Sequence, residues 1–223
     1  MTALLLTLAA LQAPTPPVPD EGRFAVRQDT VEIAQEDFRL ARAALGGTGW
    51  VLATTVRYDH TRPVVVLAPI LEVSADSLPV TLQYDVADPR QPARILGQLG
   101  RGRFTVRFLA RAIEKAREFP ITGRTVVLDD SVFTLYVFAA WHAGPGPVAV
   151  TAVVPRGARR EMLTVHDLGV QATTVNRDPA SLRHVTVTGG ANQLVDLWLG
   201  SDGRLLKVEI PSRRLAVERL PGS

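Results

Sequence analysis

The sequence contains no cysteine. Disulfide bonds, thiol nucleophiles and cysteine-based metal sites are therefore excluded, and so is membrane anchoring through a lipidated cysteine. Lysine is scarce as well, because Lys115 and Lys207 are the only lysines beside 23 arginines. No run of five basic residues occurs and acidic residues are interspersed, so the net charge of +3 does not indicate nucleic-acid binding.

No apolar run reaches the roughly 20 residues that a bilayer-spanning helix needs. The first 13 residues, "MTALLLTLAALQA", are typical of the apolar core of a secretory signal, and the proline-rich stretch "PTPPVPDEG" follows them. We therefore predict that residues 1–20 form a signal peptide and spacer, and that residues 21–223 form a single domain. The protein is expected to be exported, to the periplasm or the medium; an N-terminal membrane anchor is the alternative.

Alternating apolar and polar residues between turn signals indicate an antiparallel sheet. Asp29-Thr30 and Gly200–Gly203 are predicted hairpin turns. Pro69 predicts a bulge or an edge position in its strand. The predicted strands are 24–28, 31–40, 50–58, 63–73, 79–87, 148–154, 161–168, 170–176 and 182–188, followed by a hairpin over 193–210 and a closing strand over 213–220.

Residues 103–118 fit two structures. Phe104, Val106 and Phe108 alternate with polar residues and favour a strand, whereas "LARAIEKARE" (109–118) contains strong helix formers. We predict a strand over 103–112, which would place a row of arginines on one face. That row is either a solvated face or a contact for an anionic group, with Arg103, Arg107 and Arg111 as the candidates.

The segment "LDDSVFTLYVFAAWHAG" (128–144) differs from the rest of the chain. Ten of the twelve residues from Val132 to Ala143 are apolar. Asp129, Asp130 and Ser131 are suited to cap a helix N-terminus, and Gly144 and Pro145 to end the helix. We predict a buried helix over about 130–143, with His142 favourably charged at its C-terminus.

This helix has two possible roles. It is either a plug that fills the core, or one wall of a ligand crevice lined by Phe133, Tyr136 and Trp141. The predicted fold class is mainly β (α+β), with a strongly curved antiparallel sheet or half-barrel wrapped around the one buried apolar helix.

The sequence offers no strong catalytic or metal-binding motif. The four histidines, His60, His142, His166 and His184, lack ligand spacing such as H-x-H or H-E-x-x-H. Ser131 lies outside any G-x-S-x-G elbow and suits a capping role. We therefore predict no catalytic residue, no metal and no cofactor.

The chain resembles a known superfamily in three features: many antiparallel strands, an apolar central segment behind "LDDSVF", and a closing hairpin "WLGSDGRLLKVEIP". Uncharacterised secreted bacterial proteins with this order look like relatives of the lipoprotein-carrier superfamily. The resemblance covers most of residues 21–220 and implies an open β-barrel with helix in its cavity. Several members of that superfamily handle lipid-linked molecules in the cell envelope.

Three functions are consistent with these features. The first is an exported, non-enzymatic protein that binds an apolar or lipid-like molecule in its concavity. The second is an envelope interaction or scaffold module with a filled core, which would use sheet edges or the convex face to bind a protein partner. The third is a hydrolase whose site is assembled from distant residues.

Overall fold

The computed structural model describes residues 17–43, 48–111 and 113–222. The predicted export signal lies outside the described residues, and so does part of the glycine-rich segment "GGTG" (46–49). The described strands are β1 (Asp20–Gln28), β2 (Val31–Arg42), β3 (Trp50–Tyr58), β4 (Val65–Val73), β5 (Pro79–Ala87), β6 (Ala93–Gly100), β7 (Arg103–Ala110), β8 (Ile113–Pro120), β9 (Thr125–Val127), β10 (Val148–Val154), β11 (Arg159–Val175), β12 (Asp178–Thr188), β13 (Leu194–Leu199), β14 (Leu205–Ile210) and β15 (Leu215–Arg219).

All fifteen of these strands belong to one large, curved, open sheet. Its order is β8-β7-β6-β5-β4-β3-β2-β1-β15-β14-β13-β12-β11-β10-β9, so the first and last strands pair at its middle. Every pairing is antiparallel except that of β9 with β10. The predicted mainly antiparallel β fold is therefore confirmed, and the two edges of the sheet are β8 and β9.

The sheet follows the turn signals of the sequence closely. Asp29 and Thr30 form the β1–β2 turn, and Asp29 adopts a φ of 54°, which aspartate tolerates better than most residues. Gly203, with a φ of 82°, lies in the β13–β14 turn. The predicted strands at 161–168 and 170–176 are one long strand, β11, whose register with β12 shifts between Asp167 and Val170.

The ambiguous segment is a hairpin of two strands, β7 and β8. Phe104 and Val106 point into the core, which is what the alternation in the sequence predicted. The helix formers from Glu114 to Glu118 lie in β8, because pairing with β7 satisfies their backbone. Arg103 and Arg107 lie on the exposed face of β7, whereas Arg111 lies in the turn after it, so the predicted row of Arg103, Arg107 and Arg111 on one strand face is wrong.

Pro69 lies inside the sheet and not at an edge. Its strand, β4, pairs with β3 and β5 along its length. The β3–β4 ladder is interrupted between the pairs Ala53↔Ile70 and Val56↔Leu67. This interval contains Pro69. Proline has no N–H to donate, so a local gap in the β3–β4 ladder, without a register shift, replaces the predicted bulge or edge position.

The apolar segment is buried as predicted, but its helix is short. Helix α1 spans Tyr136–Ala140, and all five residues are buried. Its N-cap is Leu135, without a capping side chain, so the predicted caps at Asp129, Asp130 and Ser131 are wrong. Both aspartates pair with arginines, and a glutamate from β2 takes the N–H groups that precede the helix. Among the described residues, no helix has the length and apolarity to cross a membrane.

We expect Phe138→Ala to lower the free energy of unfolding by about 3–5 kcal/mol, because the ring is fully buried in α1 and truncation leaves a cavity. Chemical denaturation measures this change. Val170→Ala is the matched control, since Val170 is 61% exposed and its truncation should alter stability by less than about 0.5 kcal/mol. Equal effects of the two substitutions would contradict the core role of α1.

Candidate functional site

Residues 128–143, here called the inner segment, fill the concave side of the sheet. Of the predicted crevice residues, Phe133 and Tyr136 are 1% and 4% exposed. Trp141 is half-buried, and its ring lies edge-on to Trp50 and Phe138 at centroid distances of 5.6 and 5.0 Å. The three predicted residues therefore lie within the packed core or at its boundary.

Two small voids border the inner segment. One void lies beside Thr134 and Val137, against Phe24 and Phe38 of the sheet, and holds about 10 Å³. A second, beside Tyr136, is of the same size. Each is large enough for about one water molecule. Neither has room for an acyl chain while the inner segment is in place.

A buried carboxylate joins the inner segment to the sheet. Glu36 of β2 is fully buried and accepts hydrogen bonds from the backbone N–H groups of Phe133 (2.9 Å) and Thr134 (3.0 Å). The hydroxyls of Thr134 and Thr54 also donate to it. These two N–H groups lie before the N-cap Leu135, so Glu36 fixes the backbone that leads into α1 and does not cap its first turn.

Burial raises the pKa of Glu36, since removal from water disfavours the charged form. The hydrogen bonds from Thr134, Phe133 and Thr54 act in the opposite direction without cancelling that effect. Four donors make a buried carboxylate tolerable, and the loss of any of them would leave it less well satisfied. The position of Phe133 and Thr134 is therefore tied to β2.

Two further ion pairs hold the start of the inner segment. Arg156 contacts both carboxylate oxygens of Asp129, at 2.8 and 2.9 Å, and its guanidinium also donates to Ser131 Oγ at 3.1 Å. Burial lowers the pKa of Arg156, but the charge and hydrogen bonds of Asp129, together with nearby Tyr84 and Tyr58, outweigh burial, and the pKa is raised overall. Arg159 pairs with Asp130 at 2.7 Å and with Glu161 at 2.6 Å, and these contacts raise its pKa.

Two tyrosines face this polar cluster from β3 and β5. The Tyr58 hydroxyl donates to the Ser131 carbonyl at 2.9 Å, and burial raises its pKa. The Tyr84 hydroxyl is buried, and none of the described residues hydrogen-bonds to it. Burial raises the pKa of Tyr84, and the negative charge of Asp129 raises it further. At the other end, Asn192 Nδ2 donates to the Tyr136 hydroxyl at 2.8 Å, and burial raises the pKa of Tyr136 to about 12.

Burial of His142 disfavours the charge that the sequence predicted. None of the described residues hydrogen-bonds to its buried Nε2 atom. Burial lowers the pKa of His142, and the positive charge of Arg124 adds to the effect. Helix α1 ends at Ala140 and spans five residues, so its dipole contributes little at His142.

No hydrogen bond joins a serine hydroxyl to a histidine ring among the described residues. Ser131 Oγ accepts from Arg156, and no histidine of the described part of the chain hydrogen-bonds to it. His184 contacts Asp196 at 2.8 Å and Gln171 at 2.9 Å and stacks on Trp198, and none of the described serine or threonine hydroxyls bonds to it. The described residues contain no group of three side chains placed to hold a metal ion.

The two edges of the sheet differ in exposure. The short edge strand β9 is fully buried, with its residues at 0–2% exposure. The other edge, β8, exposes every residue of its eight except Phe119. An exposed edge strand presents backbone groups that a further strand can use.

One contact shows which backbone groups of β8 hydrogen-bond to β7 and which point away from it. Ile121 N–H donates to the Gly102 carbonyl at 3.0 Å, in the register in which Phe104 opposes Phe119. Hydrogen-bonded pairs alternate along an antiparallel ladder, so the odd-numbered residues of β8 bond to β7. The backbone N–H and C=O groups of Glu114, Ala116 and Glu118 therefore point away from the sheet. No other described residue hydrogen-bonds to them.

Side chains on β8 are sorted by charge. Phe119 faces the core, so Lys115 and Arg117 share its concave side, and Glu114 and Glu118 lie on the convex side. The glutamates pair with Arg107 and Arg103 of β7. No acidic group of the described residues forms an ion pair with Lys115, Arg117 or the nearby Arg111.

The predicted anion-contacting arginines therefore separate in space. Arg103 and Arg107 face the convex side, opposite Phe133, Tyr136 and Trp141. Arg111 lies at one end of the β5–β8 sheet, beside an open concavity of about 430 Å³. That concavity is bordered by Asp85, Val86, Ala87, Pro92, Ala93, Arg94, Leu109 and Arg111.

Sequence reasoning missed Glu36 and the free edge of β8. Glu36 was detectable, because Ala34, Phe38 and Leu40 mark its side of β2 as the core side. The edge was not detectable, since it depends on which strands the long-range pairing leaves without a neighbour. Comparison with protein-family models, with curated proteins and with solved structures found no match.

We expect Glu36 to make stability depend on pH. Its pKa is raised above the ordinary value of 4.5, so the folded protein binds the proton more tightly than the unfolded chain does. The stability that Glu36 contributes is then full below the unfolded pKa and is lost as pH rises through the folded pKa. The unfolding free energy of wild type minus that of Glu36→Gln should fall as pH rises above about 4.5.

Asp85→Asn is the control for this titration. A hydrogen bond from Arg94 lowers the pKa of Asp85, so the corresponding difference for Asp85 should rise with pH. Denaturant unfolding at a series of pH values gives both slopes. A difference for Glu36 that is independent of pH would contradict the raised pKa.

The two tyrosines should respond in opposite ways to loss of the hydroxyl. Tyr84→Phe removes a buried hydroxyl without a partner among the described residues, so stability should be unchanged or rise by about 1 kcal/mol. Tyr58→Phe removes the donor to Ser131, and stability should fall by about 1 kcal/mol. Denaturant unfolding of the two variants measures both changes, and a fall for Tyr84→Phe equal to that of Tyr58→Phe would be inconsistent with this geometry.

Proposed function

We propose that this protein is a non-enzymatic interaction module that binds an extended segment of a partner polypeptide along β8. The observation that carries the proposal is the row of outward backbone groups at Glu114, Ala116 and Glu118 on an exposed strand. The packed core supports it, because the frame that presents this edge is already complete without a ligand. The partner segment would add a strand through main-chain hydrogen bonds.

The length of the edge is adequate for such binding. Strand β8 has eight residues, and a strand of that length extends roughly 26 Å. Proline occurs at its last position, Pro120, which leaves the three outward N–H groups before it available. An exported protein in the cell envelope is the setting that we propose, in keeping with the apolar N-terminal stretch.

A second candidate is binding of an apolar or amphipathic molecule, in keeping with the resemblance to lipoprotein carriers. The open concavity at the end of β5–β8 favours it, since apolar Val86, Ala93 and Leu109 lie there beside Arg94 and Arg111. Native mass spectrometry of protein purified from its own envelope tests this candidate. A stoichiometric lipid would support it, and a ligand-free mass with no uptake of added fatty acid would count against it.

Strand addition predicts a specific pattern of amide protection. The probes are three ten-residue peptides with valine at alternate positions and threonine, glutamate or lysine at the others. Binding of at least one peptide should slow hydrogen exchange at Glu114, Ala116 and Glu118, as measured by NMR, because these amides gain partners. The amides of Lys115 and Arg117 already bond to β7 and should change little.

The substitution Ala116→Pro tests the same geometry. It removes an outward N–H without removing a bond to β7, so it should abolish binding while the fold persists. Ala116→Ser keeps the N–H and is the control. If none of the three peptides protects the outward amides, the proposed function is wrong.

A further inference from the structure

We infer that the segment bound by β8 is acidic along its concave side, and that the same charges prevent β8 from pairing with a second copy of this chain. This inference rests on the proposed function and specifies its partner. It follows from the charges along the edge strand.

The concave side of the edge carries basic groups without acidic partners among the described residues. Lys115 and Arg117 are two residues apart on that side, and Arg111 lies in the turn that precedes β8. The Arg117 guanidinium donates to the neutral carbonyl of Ala158, across the gap between β8 and the β10–β11 turn. A carboxylate on an incoming strand would be a stronger acceptor for Arg117 than that carbonyl.

The convex side of the same edge offers no matching charge. Arg107 Nε lies 3.0 Å from Glu114 Oε1, and Arg103 lies 3.4 Å from Glu118. These pairs neutralise the two glutamates. An incoming strand would therefore lie beside net positive charge on the concave side of the sheet and beside neutralised charge on the convex side.

Symmetric pairing of two β8 strands places like charges opposite each other. Among the described residues of β8, the outward N–H groups are those of Glu114, Ala116 and Glu118, so a two-fold antiparallel pair must match these residues with one another. Centring on Ala116 sets Lys115 against Arg117 of the second copy. Shifting the centre to either side sets Lys115 against Lys115 or Arg117 against Arg117. Like charges directly opposite are destabilising, so each centred register is disfavoured.

The apolar residues at the two ends of β8, on its concave side, further specify the sequence of the partner strand. Phe119 is buried at one end, and Ile113 is 56% exposed at the other. The partner strand that fits best has acidic residues beside Lys115 and Arg117 and apolar residues beside Ile113 and Phe119. Such a segment is an acidic, extended polypeptide.

The peptide panel described above tests the inference directly. We expect the valine–glutamate peptide to bind about tenfold more tightly than the valine–lysine peptide, because two cross-strand pairs change from attraction to repulsion. Rising salt should reduce this difference, since the charges are exposed. Fluorescence anisotropy of labelled peptides gives the dissociation constants.

Variants of the chain assign the effect to the edge. Lys115→Gln combined with Arg117→Gln should remove the preference for glutamate while the threonine peptide binds as before. Arg39→Gln combined with Arg57→Gln changes the net charge equally, on the distant strands β2 and β3, and should leave the preference intact.

The outcomes separate the inference from the proposed function. Equal binding of all three peptides, abolished by Ala116→Pro, would keep strand addition and overturn the acidic partner. A dimer of the wild-type chain that dissociates on Ala116→Pro, seen by analytical ultracentrifugation, would overturn the exclusion of a second copy. Tighter binding of the acidic peptide together with a monomeric chain is the expected result.

Discussion

The architecture depends on one buried carboxylate. Glu36 lies among apolar neighbours on the concave side of β2, where a charge without partners would be strongly unfavourable. Four donors surround it, and all but Thr54 belong to the inner segment. The carboxylate and the segment therefore require each other. Since the segment fills the concavity, the sheet can stay open without exposing its apolar face.

The two edges differ because of where the inner segment starts. It continues directly from β9, whose residues are buried against β10 and the neighbouring strand β5. The opposite edge, β8, has no such continuation over it. A hydrogen bond from Arg117 to the carbonyl of Ala158 crosses the gap. Filling the core from one edge thus leaves the backbone of the other edge free.

Local signals predicted the strands well and the inner segment poorly. Alternation and turn residues are local, and they located β3, β5 and β10 at their observed bounds. A helix cap was predicted at Asp129–Ser131. In the structure the two aspartates pair with Arg156 and Arg159, which are distant in sequence, and Glu36 of β2 accepts hydrogen bonds from the N–H groups that precede α1. Burial of Phe133 and Tyr136 was predictable from composition. Their packing against the sheet, with a void of about 10 Å³ beside Tyr136, depends on long-range contacts.

The charged residues of β8 limit the unspecific strand pairing that an exposed edge would otherwise allow. An uncharged edge strand would pair with any extended chain, including another copy of itself, and proteins commonly avoid this with charged residues. The charges on β8 are sorted by side. Its glutamates, which pair with arginines of β7, lie on the convex side, and Lys115 and Arg117, without acidic partners among the described residues, lie on the concave side. A strand with alternating charge on both sides would disfavour most partners. Sorting by side disfavours copies of β8 itself while it favours an acidic segment, so one arrangement provides both protection and selectivity.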